Sequence, residues 1–229
     1  TCKCVLPKLK EAFPDMFIHE TSWEGQNAEE SKMIKEDQEL FPCVDGWSYH
    51  RVEYNSNDPL DSADYLNAGT EGLPVICTEF EYQPWNFSGQ DEFRFVNTAQ
   101  MIMNWMTFEN SPTFYWLHAL KPLGNEESLG YSLGFWRKPG DTGEYEVCDY
   151  VEEGHWDYNY QNWNAIRGFL KYMPWDSVRY TVKEDEVRKD QRIMAWKSPE
   201  GRLAFALTNR SSEFCFKVDT GLEDTTFHG

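Results

Sequence analysis

Long apolar segments are missing from this sequence. No run of about 18 consecutive apolar residues occurs in its 229 residues, so we expect no transmembrane helix. The chain opens on Thr1-Cys2-Lys3-Cys4 and not on a signal peptide, so we expect a mature form or a fragment. Positive charge is scarce: 21 Lys and Arg residues face 39 Asp and Glu residues, for a net charge of −18. This balance argues against nucleic acid and membrane surfaces as partners, since both bind clusters of Lys and Arg.

Metal-ligand spacings and cofactor motifs are also absent, so we expect neither a metal nor a cofactor. Cys2 and Cys4 have no partner pair at the spacing that a zinc site needs. The cysteines are scattered, and the sequence leaves open whether they are buried thiols or form one or two disulfides. They are Cys2, Cys4, Cys43, Cys77, Cys148 and Cys215.

Aromatic residues are abundant: they make up 16% of the chain, and ten of them are tryptophans. Sugar rings have apolar faces that stack on indoles, while their hydroxyls need polar edges. An acidic chain rich in tryptophan and asparagine therefore favours carbohydrate as the ligand. The alternative for any single tryptophan is a place in the hydrophobic core.

The first two-thirds of the chain alternates strand-like and helix-like segments, which predicts a parallel sheet covered by helices. Short apolar strands that end in polar or aromatic residues are typical of a (β/α)8 barrel, and four such units make half of one. Strands are predicted at 16–19, 43–49, 74–80 and 113–118. Helices are predicted at 6–13, 28–40, 95–108 and 160–173, with Phe95, Ala99, Ile102 and Met106 on the apolar face of the third.

The end of the chain changes character. Strands of the antiparallel type are predicted at 177–182, 192–197, 203–208 and 214–218, with a hairpin turn at 198–201. These strands predict the start of a β-sandwich. We therefore divide the chain into residues 1–173, the C-terminal half of a (β/α)8 barrel (about strands 5–8), and residues 174–229, a partial β-sandwich.

Two carboxylates end the third predicted strand. By simple alternation Val75, Cys77 and Glu79 share one face, which would aim Glu79 into the mouth of a barrel. A carboxylate there can attack an anomeric carbon and form a covalent glycosyl intermediate. Glu81 shares this face and ranks second. The alternative is an acidic strand end that pairs with Lys or Arg.

These residues carry a resemblance. Thr78-Glu79-Phe80 resembles the seventh-strand motif of clan A retaining glycoside hydrolases, whose glutamate is the nucleophile. Residues 114–118 are similar to the eighth strand of that clan, whose tryptophan forms the floor of the sugar subsite next to the scissile bond. Residues 17–20 and 47–51 would end the fifth and sixth strands, and 169–179 resemble the step into the appended β-sandwich.

The resemblance implies a secreted or periplasmic retaining enzyme that acts on a polysaccharide or oligosaccharide. Within the clan the chain resembles the agarase and porphyranase type, which implies a marine galactan. The acid/base of the clan is a glutamate on the fourth strand, and no such strand precedes Cys2. We therefore expect the acid/base upstream of Thr1, in the N-terminal part of the same enzyme. The alternative is a non-catalytic carbohydrate-binding or scaffold protein on a decayed barrel.

Further residues are candidates for substrate binding, because they lie at or near predicted strand ends. Three histidines either contact sugar hydroxyls or are structural hydrogen-bonding groups. Arg51 either stabilises the charged form of the nucleophile or binds an acidic substituent of the sugar. Glu20 is the other carboxylate at a strand end, and Trp116 is the first choice among the stacking residues. The remaining candidates are His19, His50 and His118, with Trp23, Trp85 and Trp136 as further stacking residues.

Overall fold

The computed structural model describes residues 2–20, 29–53, 56–82, 94–124, 132–145, 148–212 and 216–221. Among these residues, no helix has the length and apolar character needed to cross a membrane. The helices are α1 (Cys2–Ala12), α2 (Glu29–Glu36), α3 (Asp58–Asp61), α4 (Ala63–Asn67), α5 (Arg94–Phe108) and α6 (Tyr160–Tyr172), with a 3-10 turn at Phe41–Cys43. The strands are β1 (His19–Glu20), β2 (Gly46–Glu53), β3 (Val75–Tyr82), β4 (Phe114–Trp116), β5 (Leu120–Pro122), β6 (Gly134–Trp136), β7 (Trp156–Tyr158), β8 (Val178–Tyr180), β9 (Gln191–Lys197) and β10 (Leu203–Asn209).

The predicted parallel sheet is confirmed. Its order is β1-β2-β3-β4, and each neighbouring pair is parallel. β3 and β4 fall where the sequence placed them, because each is a short apolar run bounded by turn or polar residues. β2 is shifted toward the C-terminus of the predicted 43–49, and β1 overlaps the predicted 16–19 only at His19. Since the strands are parallel, their carboxyl ends meet at one edge of the sheet, and the polar residues that follow each apolar run are brought together there.

A β-bulge interrupts β3, and it corrects the alternation used above. Tyr49 pairs with Cys77, but the next residue, His50, pairs with Glu79, so Thr78 is an extra residue in the ladder. Paired residues point to the same side of a sheet. Cys77 therefore lies on the face of Tyr49, and Glu79 lies on the opposite face with His50. The prediction that Cys77 and Glu79 share a face was wrong, although Glu79 and Glu81 do share one.

One face of the sheet, here called the helix face, packs on α5. The rings of Tyr49 and Trp105 stack with centroids 6.3 Å apart. The opposite face is called the site face. The predicted apolar stripe of α5 is confirmed at Ala99, Ile102 and Met106, which are buried, but Phe95 is exposed. The helix is buried on all sides from Asn97 to Met106, because the antiparallel sheet covers the side that its polar residues occupy.

The antiparallel sheet has the order β10-β9-β8 and joins α5 and α6 in one core. The Trp196 ring lies 6.4 Å from that of Phe169, and its indole N–H donates to the Tyr172 carbonyl at 2.6 Å. The predicted hairpin turn is present, with Gly201 at a φ of +87°. The predicted strand at 214–218 falls partly outside the described residues, and 216–218 have no regular structure.

A third sheet, β5-β6-β7, follows the end of β4 and covers a small core of its own, made by Leu123, Phe135, Cys148 and Val151. Within the described part of the chain, Cys43, Cys77 and Cys148 are buried free thiols, and Cys4 is an exposed one. Burial raises the pKa of the Cys77 thiol to about 12 and that of Cys148 to about 11. These buried thiols are therefore protonated and unreactive near neutral pH.

Candidate functional site

Glu79 lies at the carboxyl end of β3, on the site face, with its carboxylate open to solvent. His50 comes from the neighbouring strand, and its Nδ1 lies 3.2 Å from Glu79 Oε2. The side chains are 50% and 37% exposed, respectively. The bulge at Thr78 produces this contact, because it brings Glu79 into register with His50. The pair combines an accessible carboxylate with a neighbouring group that can hold its orientation.

Glu81 differs from Glu79 although the two share a face. Its side chain is fully buried, and one oxygen, Oε1, binds two donor groups of His118. The backbone N–H of His118 donates to it at 2.8 Å, and the ring Nδ1 lies at 2.7 Å. This carboxylate fixes the chain just after β4 and the ring orientation of His118. Such an engaged carboxylate cannot reach a substrate atom without losing these contacts.

The remaining predicted histidine also lies on the site face. His19 pairs with Gly46, and its Nδ1 lies 3.0 Å from the Ser48 hydroxyl oxygen. His19 and His50 thus share one face and one edge of the parallel sheet, and His118, which follows β4, contacts Glu81 of that face. Tyr115 joins them by alternation along β4 and is exposed. The sequence reasoning missed Tyr115 because the same stretch of β3 also shifts the β3–β4 pairing, and that pairing sets which β4 residue faces the site.

Arg51 does not lie on the site face, which corrects the proposed contact with Glu79 or with an acidic sugar. Its guanidinium is buried on the helix face, where it forms an ion pair with buried Glu109 and a 3.2 Å hydrogen bond to the Ser62 hydroxyl. The guanidinium also lies 4.8 Å from the centroid of the Tyr49 ring. Alternation along β2 gives the physical reason, since Arg51 follows His50 directly and so points to the opposite face.

Two more candidates are turned away from the site face. Glu20 aligns with buried Trp47, whereas its neighbour His19 carries the site-face position. Trp116 aligns with Phe80 and packs edge-on against it, with ring centroids 5.5 Å apart. The expectation that Glu20 and Trp116 line the site was therefore wrong, because their strand pairing places both on the helix face. Trp23 and Trp85 lie outside the described residues.

The last candidate, Trp136, lies on β6 in the third sheet. A groove of about 1030 Å³ lies elsewhere, over the antiparallel sheet, with Ile193, Ala195, Leu203 and Phe205 among its lining residues. The groove does not include the Glu79–His50 pair. The site is therefore defined by the polar edge of the parallel sheet and not by this groove.

This arrangement, with helices on a parallel sheet and an antiparallel sheet joined to the same core, matches solved structures. The chain is similar to an endo-β1,6-glucanase, with a TM-score of 0.57 and 18% identity over 90% of this chain and 44% of that one. It is also similar to a glycoside hydrolase family 30 subfamily 8 xylanase from Clostridium acetobutylicum, with a TM-score of 0.53 and 16% identity over 92% of this chain and 44% of that one. A conserved exported protein from Bacteroides fragilis gives a TM-score of 0.55 at 12% identity, over 82% of this chain and 39% of that one.

These likenesses concern the fold, because all three identities are below 20%. The chain has a glycoside hydrolase-like fold and spans less than half the length of each of these structures. No protein-family model matches the sequence. No curated protein matches it either.

Proposed function

We propose that this chain is the part of a secreted or periplasmic retaining glycoside hydrolase that carries the nucleophile, Glu79. The observation that carries the proposal is the Glu79–His50 pair at the carboxyl edge of the parallel sheet. Functional groups of barrel enzymes lie at that edge, and Glu79 is the exposed carboxylate there, whereas Glu81 is occupied by His118. The β1,6-glucanase and the xylanase support a polysaccharide as substrate.

In the proposed reaction the Glu79 carboxylate attacks the anomeric carbon as the bond to the leaving oxygen breaks. A second carboxylic acid protonates the leaving oxygen, then removes a proton from the water that hydrolyses the glycosyl ester. We propose that residues 1–173 are half of a (β/α)8 barrel and that a segment outside these 229 residues supplies the acid. The fraction of the similar structures that this chain covers supports that division.

The test compares Glu79→Ala and Glu81→Ala in the full-length protein. The release of reducing ends is measured from β-1,6-glucan, xylan and agarose, so that the expected galactan is tried beside the polymers of the similar enzymes. We expect Glu79→Ala to lower turnover roughly 10³-fold or more. Azide should restore turnover of an activated glycoside by this variant, because the small anion fits the space that the carboxylate leaves and gives a glycosyl azide of inverted configuration.

Glu81→Ala is the matched control, since it removes a carboxylate two residues away on the same face. Azide should not rescue it, because it loses a contact that positions His118 and not the attacking group. Full turnover by Glu79→Ala, or azide rescue of Glu81→Ala alone, would overturn the assignment. If the unchanged protein binds glycans but hydrolyses none of them, the non-catalytic alternative is correct.

A further inference from the structure

The β5-β6-β7 sheet has two unlike faces. On one, Phe135 is buried in the core that includes Cys148 and Val151. On the other, the pairing produces two cross-strand rows. One row is Leu120, Gly134 and Tyr158, and the other is Pro122, Trp136 and Trp156. We call these six residues the aromatic face.

The aromatic face is open to solvent although it is apolar. Trp156 is 53% exposed, Leu120 50% and Tyr158 38%. Apolar patches of this kind that are rimmed by polar groups mark binding sites. The short edge strand β7 thus exposes a tryptophan and a tyrosine to solvent, at positions where edge strands commonly carry charged residues.

The rings are held in place before any ligand arrives. Tyr158 stacks on Trp163 of α6, with centroids 4.9 Å apart and planes 24° apart. Trp156 stands against the Tyr158 ring at 5.1 Å and 82°. The Tyr150 hydroxyl donates to the Tyr158 carbonyl at 2.6 Å, which ties the strand edge to the preceding turn. A fixed aromatic platform loses little conformational freedom on binding.

The size of the face selects the kind of ligand. Three strands span about 10 Å, and two residues on one side of a strand span about 7 Å. This footprint is far smaller than the roughly 800 Å² that each partner contributes to a stable protein complex. It matches one or two flat rings with apolar faces, which is the shape that a pyranose chain presents.

The charge around the aromatic face narrows the ligand further. Asp157 pairs with Phe135 and so belongs to the opposite face of β7, where it accepts hydrogen bonds from the Tyr158 N–H at 2.7 Å and from the Tyr160 hydroxyl at 3.1 Å. Asp149, Glu152 and Glu153 lie on the preceding turn, and the whole chain has a net charge of −18, so a sulfated or uronic glycan is disfavoured.

We propose that the aromatic face is a binding site for a neutral glycan chain, separate from the Glu79–His50 pair, with Trp156 and Tyr158 stacking on sugar rings. The face begins two residues after His118, and the Leu133 N–H donates to the His118 carbonyl at 2.9 Å. It therefore continues from the polar edge of the parallel sheet. The identification of the bound glycan as the substrate rests on the function proposed above.

The test is affinity gel electrophoresis in β-1,6-glucan, xylan, agarose and a sulfated galactan. Trp156→Ala and Tyr158→Ala should each weaken retention by the neutral polymer that binds, roughly 3- to 10-fold in Kd, because each removes one aromatic stacking contact. Trp156→Phe should retain part of the affinity. Trp175→Ala is the matched control, since Trp175 is 83% exposed after α6 and lies outside the aromatic face.

The outcomes separate this site from the proposed nucleophile. Trp175→Ala should leave retention unchanged, and Glu79→Gln should lower hydrolysis. If Trp156→Ala binds as tightly as the unchanged protein while Glu79→Gln abolishes hydrolysis, the aromatic face is not a glycan site and the proposed function stands. If Trp156→Ala weakens binding but the protein hydrolyses nothing, the glycan site stands and the enzyme proposal falls. Retention by sulfated galactan alone, or self-association that Trp156→Ala abolishes, would also overturn the inference.

Discussion

At the scale of single residues, Glu79 and Glu81 show how position in the ladder decides chemistry. They are two residues apart on the same face, yet one carboxylate is exposed beside His50 and the other is buried against His118. A buried carboxylate must be hydrogen-bonded, and Glu81 satisfies that need with two donors from one residue. Its contribution is to hold His118 in place, which leaves Glu79 as the group that a substrate can reach.

A pH-dependent contact at this scale joins α1 to the start of β2. Asp45 Oδ2 accepts hydrogen bonds from Lys10 at 2.6 Å and from the Ile18 N–H at 2.8 Å. The Lys10 hydrogen bond, aided by the Ile18 N–H, lowers the pKa of Asp45 below its ordinary value of 3.8. A lowered folded-state pKa stabilises the fold above the unfolded value, and that contribution is lost as the pH falls below 3.8.

We therefore predict that Asp45→Asn lowers the free energy of unfolding at pH 7 by about 1–2 kcal/mol. This corresponds to a melting temperature lower by roughly 2–8 °C for a chain of this size. The difference from the unchanged protein should shrink as the pH approaches 3. Thermal unfolding by circular dichroism at several pH values measures it, with exposed Asp15→Asn as the control. A deficit that stays constant down to pH 3 would contradict the role of the ionised carboxylate.

At the scale of secondary structure elements, an ion pair joins β2 to the residue that follows α5. Arg51 and Glu109 are both almost fully buried, and their side chains bind each other and the Ser62 hydroxyl. Removing one member of a buried pair leaves an uncompensated charge, which is far more costly than removing both. The pair therefore matters most to stability when only one of its members is removed.

Arg51→Met should lower the free energy of unfolding by about 3–5 kcal/mol. The double variant Arg51→Met with Glu109→Gln should recover part of that loss, because it removes the stranded carboxylate. Urea denaturation measures both. Lys189→Met is the comparison, since the Lys189–Asp61 pair is exposed at 54% and 46% and should contribute less than about 1 kcal/mol. Equal losses of unfolding free energy for Arg51→Met and Lys189→Met would show that burial does not determine how much the Arg51–Glu109 pair contributes to stability.

The elements also show what the sequence can and cannot predict. Strand positions and the histidines at strand ends were predictable, because apolar runs and their polar ends are local patterns. The side on which Glu79 lies relative to Cys77 was not, since a single extra residue in a ladder reverses every later position. The rows of the aromatic face depend on which residue of β6 pairs with which residue of β7. That pairing is a long-range property, and the sequence offered only Trp136 as a candidate.

At the scale of the whole molecule, the antiparallel sheet and the parallel sheet share α5. Gln100 Oε1 accepts a hydrogen bond from the Thr208 hydroxyl, and Asn104 Oδ1 accepts one from Arg192 Nε. The Gln100 side-chain NH₂ also donates to the Lys189 carbonyl at 2.6 Å. These amides lie outside the predicted apolar stripe of α5, and they form a buried polar seam between α5 and the antiparallel sheet. A division after residue 173 thus cuts through a shared core.

We predict that the chain unfolds in one cooperative transition. Tryptophan fluorescence and far-ultraviolet circular dichroism should give coincident urea curves, because the seam and Trp196 couple the two sheets. A fragment that ends at Met173 should bind a hydrophobic dye and lose the sharp transition, since it exposes Ile166 and Phe169. Two separate transitions in the whole chain would show that residues 1–173 and 174–229 are independent domains.

The extra residue at Thr78 has a consequence for comparing this chain with others. An alignment that treats 75–81 as one ungapped block matches Cys77 and Glu79 to two positions on the same face of a regular strand. It then assigns the Glu79 carboxylate to the wrong face of the sheet. Thr78 is better treated as an insertion, so that Val75 and Cys77 are matched to helix-packing positions and Glu79 and Glu81 to positions lining the site. A search profile built with that gap would compare side chains that lie on the same face of the sheet.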